Sequence, residues 1–316
     1  MTLKLKRGRF YRNARLGCIN ILLEYPDGCY ASCAYCGLSK KRPGNYSEKS
    51  FIRVDWPIYS TETIIQQIKK YEAKLRRVCI SMITHKEAVN DTLELIKRLR
   101  KGADLPVSLL ICPTILNRDD LLAFHSAGAD RIGIAVDAAT PGLFDEHRGG
   151  GVKGPHNWDR YWECFREAVS VFGTNNVGTH LMVGLGETEA EMVSAIWKTR
   201  ESGGFTHLFS FFPEQQSQLA ESVPPPLDVY RRIQLARYLI DNGLVSNEGF
   251  EFDEAGKVTG FGLPESRLLE IIRDGQAFET SGCPGRDGLV ACNRPFANSL
   301  PGPDVRNLPY AADEDD

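Results

Sequence analysis

Short, nearly continuous apolar runs recur along the chain, each followed by a stretch of helical periodicity. The runs are 18–24 (CINILLE), 78–84 (VCISMIT), 107–112 (VSLLIC), 131–137 (RIGIAVD), 177–183 (VGTHLMV) and 206–212 (THLFSFF). Runs of this length and composition suit parallel strands buried on both faces. Between them, Ile64, Ile65, Ile68 and Leu75 recur at near-helical spacing in 61–76, and Leu93, Leu95, Ile96 and Leu99 do so in 88–101. Helices are also predicted over 118–127 with Asn117 as N-cap, over 157–172, over 187–202 and over 226–243, ending at Gly243. Thr188-Glu-Ala-Glu191 puts acidic residues in the first turn of the fifth, which favours the helix dipole.

Six β–α units lie between residues 18 and 243. Strand–helix alternation implies right-handed crossovers and a parallel sheet. Six units predict an α/β fold: a partial (βα)6 TIM-type barrel with an irregular C-terminal extension. After 245 the pattern weakens, with one more helix over 265–273, and from about 274 the chain is rich in Gly and Pro. The expected organisation is a basic arm over 1–16, the barrel over 17–245, the extension over 246–310 and an acidic tail over 311–316. Asp313 to Asp316 are expected to be disordered.

Composition narrows the class without naming it. The 316 residues carry 38 Lys and Arg against 41 Asp and Glu, a net charge of −3, with 42% hydrophobic residues. That balance argues against a dedicated nucleic-acid binder. No run of 18 apolar residues occurs, so no membrane span is expected. The first residues are basic (Lys4, Lys6, Arg7, Arg9, Arg12, Arg15) but no apolar segment of the signal-peptide kind follows. A cytoplasmic protein is the expectation.

Nine cysteines make an odd and unusually high count. In a reducing compartment a disulfide framework is a poor reading, and clustered cysteines point to metal or redox chemistry. Cys29-Tyr-Ala-Ser-Cys33-Ala-Tyr35-Cys36 follows the first strand, on the first βα loop. In βα barrels that loop lies at the C-terminal face, where active sites collect. Three thiolates on one short loop can hold three irons of a [4Fe–4S] cube and leave the fourth iron open. The alternative is a structural zinc site, normally closed by a fourth Cys or His, with His85 the nearest histidine.

This C-x3-C-x2-C motif, with an aromatic residue before its third cysteine, resembles that of the radical S-adenosylmethionine (SAM) superfamily. The resemblance spans roughly 17–245. It implies a [4Fe–4S] cluster on Cys29, Cys33 and Cys36, SAM on the open iron, an external electron donor, and hydrogen abstraction by a 5′-deoxyadenosyl radical. His180-Leu-Met-Val-Gly184-Leu-Gly-Glu187 is similar to the end of strand five in biotin and lipoyl synthases, where G-x-I-x-G-x-x-E borders the adenine of SAM. His180 stands for the first glycine and Met182 for the isoleucine. The resemblance therefore implies cofactor contacts at Tyr35, His180, Gly184 and Glu187; the plain alternative is that the glycines only turn the chain into a helix. The usual strand-two G-G-E is absent, replaced by Ser81-Met-Ile-Thr84-His85. Asp137, ending strand four, is a candidate SAM partner or else a turn residue.

The tail reads Ser281-Gly-Cys283-Pro-Gly and then Cys292-Asn-Arg294-Pro-Phe. It resembles the C-terminal region of the two-component, archaeal-type lipoyl synthases, with an apparent insertion at 286–291. The resemblance implies a second, auxiliary iron–sulfur cluster on Cys283 and Cys292 that supplies sulfur. Cys18 is the candidate third ligand, although the start of strand one lies at the end opposite the barrel mouth; a core thiol is the alternative. Cys79, Cys112 and Cys164 are read as core residues, because free cysteine behaves as a small hydrophobe. Glu214, after strand six, is a loop candidate, and 147–153 reads as a flexible basic loop.

The implied activity is a sulfurtransferase that converts an octanoyl group on a carrier protein to lipoyl. Its partners would be a lipoyl-type carrier domain or octanoyl-lysine and a paralogous radical SAM subunit. Biotin-synthase-like sulfur insertion, methylation and rearrangement fit the same barrel. The basic arm could dock an acidic carrier or be a solvated tail.

Overall fold

A computed structural model describes residues 2–7, 12, 14–44, 56–299, 302–313 and 316. Six parallel strands form one sheet: β1 (Cys18–Leu22), β2 (Arg77–Ser81), β3 (Val107–Ile111), β4 (Ala129–Asp137), β5 (Val177–Val183) and β6 (Phe205–Ser210). Their spatial order is their sequence order, so β1 and β6 are free edges and the sheet curls into a partial barrel. The crossovers carry α1 (Thr61–Tyr71), α2 (Ala88–Gly102), α3 (Arg118–Ser126), then both α4 (Pro141–Arg148) and α5 (Trp158–Phe172) after β4, and α6 (Glu189–Glu201) after β5. Helix α7 (Leu227–Asp241) follows β6.

The strand cores stand where the apolar runs put them, but several runs outlast their ladders. Leu23, Met82, Ile83, Phe211 and Phe212 follow the last ladder residues. Met82, Ile83 and Phe211 stay buried, building loops at the C-terminal end of the sheet. The helices begin where short polar side chains satisfy their free amides. Asn117 and Asp120 form a capping box on α3, and Thr188 and Glu191 do the same on α6.

Segment 147–153 is not a flexible basic loop. His147 and Arg148 form the buried last turn of α4, and a 3-10 turn over Gly150–Val152 follows. Beyond α7 the chain forms a hairpin absent from the sequence reading, β7 (Phe250–Phe252) with β8 (Val258–Phe261), and then α8 (Glu265–Asp274).

The tail enters the gap between the two sheet edges. On the β6 side, the Leu208 amide donates to Ser281 Oγ at 3.1 Å and Asn298 Nδ2 donates to the Ser210 carbonyl at 3.1 Å. On the β1 side, Asn293 Nδ2 donates to the Arg15 carbonyl at 3.0 Å. An open parallel sheet leaves two rows of unpaired backbone groups, and the tail covers part of both. Asp313 and Asp316 are not free: Arg12 pairs with them at 2.9 and 2.6 Å. Arg9, also part of the basic arm, lies outside the described residues.

Candidate active site

The loop after β1 is held at the C-terminal end of the sheet by its own backbone. The Tyr30 amide donates to the Thr84 carbonyl, the Ala34 amide to the His147 carbonyl, and the Leu219 amide to the Ala34 carbonyl. These bonds tie the loop to the ends of β2, α4 and the segment after β6. Cys29, Cys33 and Cys36 are thereby gathered in one place. Burial pushes all three thiols up, Cys33 to about 11 with Arg148 opposing. Buried thiols become thiolates when a cation compensates them. Three cysteine ligands leave one iron of a cube without a protein ligand.

Tyr35 and Asp137 meet directly. The Tyr35 hydroxyl donates to Asp137 Oδ2 at 2.5 Å, and Arg148 Nη1 lies 3.1 Å from the same oxygen. Arg148 is buried and also donates to the carbonyls of Ala135 and Val136 and to the Tyr161 hydroxyl. Asp137 has a φ of +64°, a left-handed conformation costly for most residues but tolerated by Asp. It ends β4 at the mouth, where Tyr35, Cys36, Asp137, Met182, Phe212 and Glu214 line a cavity of about 80 Å3. Glu214 is buried and raises the pKa of Cys36 further.

Glu187 does not face that cavity. Its two carboxylate oxygens accept from the amides of Gly184 and Leu185 at 2.7 and 2.9 Å, which staples the β5–α6 turn. Gly184 sits at φ +106° with Pro225 so close that a β-carbon would lie 2.7 Å from its ring. The turn therefore needs glycine for conformation and for space. His180 lies lower in the lumen, its ring centroid 4.9 Å from Phe209 and 5.3 Å from His207.

The tail cysteines gather at the opposite end of the same lumen. Cys18 does not rise to the mouth; the tail descends to Cys18. An isolated bridge between Pro284 and Val290 folds 284–290 into a hairpin, and the Cys292 amide donates to the Cys283 carbonyl at 3.1 Å. The residues of the apparent insertion are what make that hairpin. Arg76 and Arg77 clasp it: Arg77 Nε donates to the Pro284 carbonyl at 2.6 Å and Arg76 Nη1 to the Val290 carbonyl at 3.0 Å.

Cys79 is buried, as expected of a core residue, but outside the main apolar core. It joins Cys18, Cys283 and Cys292 in one buried cluster with Ala291. Asn20 pairs with Cys79 across the β1–β2 ladder, so Cys79 sits two residues further up the barrel than Cys18. The Cys292 thiol donates to Asn20 Oδ1 at 3.6 Å, beside both strands that carry Cys18 and Cys79. Cys79, Cys283 and Cys292 line a small cavity of about 20 Å3, around which the thiols themselves pack. Leu110, His180, Phe209 and Arg294 line both cavities and form the floor of one and the roof of the other. No group of three or more His, Cys, Asp or Glu among the described residues is arranged to hold a single metal ion.

Arg294 is buried among these thiols. Its Nη2 donates to Asn20 Oδ1 at 3.0 Å, to Cys79 Sγ at 3.3 Å and to Ser81 Oγ at 2.6 Å. Its Nε and Nη1 are buried without a partner, as is His207 Nδ1. Burial opposes the guanidinium charge, and Cys79, Cys292, Cys18 and Cys283 are what offsets it.

The model of a family described as "Radical SAM superfamily" matches residues 23–196, more than half of the chain. The chain belongs to the radical SAM superfamily. The family implies a [4Fe–4S] cluster and SAM, and the three cysteines of the β1 loop suit the cluster. Among solved structures, methylornithine synthase (PylB) aligns with a TM-score of 0.55 at 14% identity, covering 73% of this chain and 64% of that one. The FeFe-hydrogenase maturase HydG from Carboxydothermus hydrogenoformans aligns with a TM-score of 0.56 at 14% identity, covering 72% and 51%. This radical SAM chain thus spans between about half and two thirds of those proteins, and at that identity the likeness is one of fold. No curated protein matches it. Among the described residues no helix is long and apolar enough to cross a membrane.

Proposed function

We propose that this radical SAM enzyme is a sulfurtransferase that inserts sulfur into an octanoyl group carried on a protein lysine, forming lipoyl. The observation that carries the reading is the second thiol cluster at the far end of the lumen that the first cysteine loop caps. A bound [4Fe–4S] cluster with SAM supplies a 5′-deoxyadenosyl radical. A C–H bond becomes a C–S bond only where a carbon radical meets a sulfur source, and thiolate-held iron–sulfur groups are such a source.

The chain's own residues have separate tasks. Cys29, Cys33 and Cys36 would hold the first cluster, with Tyr35 and Asp137 beside it at the mouth. Arg148, 3.1 Å from Asp137 Oδ2, holds that carboxylate in place. Leu110, Met182, Phe209 and Phe212 give the lumen an apolar lining suited to an acyl chain and keep water away from a reactive radical. Cys18, Cys283 and Cys292 would hold the second iron–sulfur group. A lipoyl-type carrier domain presents the octanoyl-lysine at the mouth, an external donor supplies electrons, and a paralogous radical SAM subunit is the proposed partner.

Iron and sulfide counts on anaerobically reconstituted protein test this. Each cube holds about four irons. The expected result is about eight irons in the wild type and about four in Cys283→Ala/Cys292→Ala, with thiolation of an octanoyl-lysine peptide, the partner subunit added, only by the former. About four irons in both would remove sulfur donation and leave a simpler radical SAM reaction.

A further inference from the structure

The lower thiol cluster contains one more cysteine than the proposed function uses. Cys18 opens β1, Cys79 stands on β2, and Cys283 and Cys292 flank the tail hairpin. All four are buried and grouped. Cys164 shows what an ordinary core cysteine looks like in this fold: it is buried on α5 and belongs to the main apolar core rather than to the thiol group. Cys79 is different, because it packs within the thiol group and its sulfur accepts from Arg294 Nη2 at 3.3 Å.

The surroundings also call for an anion. Among the described residues no carboxylate pairs with Arg294, and two of its nitrogens are buried with nothing to donate to. A buried charge with unsatisfied donors costs several kcal/mol unless something answers it. His207, whose Nε2 lies 3.8 Å from Cys283 Sγ, has its other nitrogen unsatisfied as well. Donors facing a group of thiolates are the setting in which bridging sulfides accept hydrogen bonds. A single zinc ion is the competing occupant, since closed structural zinc sites also take four cysteine donors.

We propose that Cys79 is the fourth ligand of a closed, all-cysteine iron–sulfur site completed by Cys18, Cys283 and Cys292, with Arg294 donating to its sulfur. The proposal rests on the reading that a second iron–sulfur group exists, and it adds which residues close it. The upper site, with three cysteines, leaves an iron for SAM; the lower site leaves none open.

The test removes the first cluster and asks what the second needs. In full-length protein carrying Cys29→Ala/Cys33→Ala/Cys36→Ala, anaerobic reconstitution with iron and sulfide is expected to give about four irons and a brown visible spectrum. Adding Cys164→Ala should change nothing. Adding Cys79→Ala should remove most of the iron. Adding Cys79→Ser, which keeps the volume and offers an oxygen ligand, should keep iron with a shifted spectrum; circular dichroism checks that each variant is folded. Full iron and an unchanged spectrum in the folded Cys79→Ser protein would overturn the assignment while leaving a second cluster in place. No iron in the parent triple variant would overturn the second cluster itself, and the Cys79 assignment with it. One tightly held, colourless zinc per chain would do the same.

Discussion

Arg294 Nη2 donates to Ser81 Oγ at 2.6 Å, fastening the tail to β2 two residues beyond Cys79. The same nitrogen reaches Asn20 on β1, so one guanidinium spans the two strands that carry Cys18 and Cys79. Replacing it with Met removes three hydrogen bonds made by a charged group, each worth on the order of 1.5–3 kcal/mol at most. In the cluster-free protein the lost bonds are partly offset by removal of a buried charge that nothing answers, so Arg294→Met is expected to lower the unfolding free energy by no more than about 1–3 kcal/mol in urea titrations. In the reconstituted protein it should move the midpoint potential of the second cluster to more negative values, because a nearby cation favours the reduced form. Arg294→Lys should recover part of that potential and little of the stability, having charge without the fork. An unchanged potential in both variants would refute the role given to Arg294.

Gly282 tests the seat of the tail by sterics alone. A β-carbon there would stand 1.6 Å from the Cys292 carbonyl oxygen. That atom is backbone and cannot swing aside. Gly282→Ala should therefore displace the hairpin, costing about 2–4 kcal/mol and at least half of the second-site iron. The first cluster, at the other end of the lumen, should load normally.

Arg148 and Asp137 make a buried ion pair at the mouth, with side chains 6% and 14% exposed. Removing one member of such a pair leaves the other uncompensated, at a cost of about 3–5 kcal/mol. Arg148→Met is expected to fall in that range. Tyr35→Phe, which deletes only the hydroxyl that donates to Asp137, should cost about 1–2 kcal/mol and raise the KM for SAM more than it lowers kcat. A kcat loss with KM unmoved would place the Tyr35–Asp137 pair outside the SAM site.

Much of this architecture was legible because parallel strands buried on both faces leave unbroken apolar runs. That same property hid Cys79. In VCISMIT both faces are apolar, so alternation cannot say that Cys79 and Ser81 face the lumen while Val78 and Ile80 face the helices. The β1–β2 register, Asn20 opposite Cys79, supplies that information, and it is set by tertiary pairing. The tail was legible as chemistry through its cysteines but not as a place, since an irregular chain carries no periodicity. Arg76 and Arg77 were the available signal: two adjacent arginines at the foot of β2 pair with Asp130 and with Asp287 of the tail hairpin, and donate to tail carbonyls. Glu187, the candidate cofactor contact after Gly184, also has a structural task that its place in the sequence does not reveal: both its oxygens accept from the turn's own amides.

Asp241 offers a pH test of the wall that carries β6. It ends α7, accepts from the Thr206 amide at 3.3 Å, and has its other oxygen buried without a partner. Burial pushes its pKa up to about 6, with Arg237 opposing. Because the folded value exceeds the unfolded one near 3.8, the protonated form favours the fold. Its stabilising contribution is fully present below about pH 4 and is lost as pH rises through about 6. A shift of roughly two units corresponds to about 3 kcal/mol. Urea unfolding of cluster-free protein at pH 4 and pH 7 should show wild type losing up to this amount from this group. In Asp241→Asn, which cannot ionise, the difference between the two pH values should shrink by most of it. An identical pH dependence in the two proteins would mean that Asp241 is solvated in the folded chain.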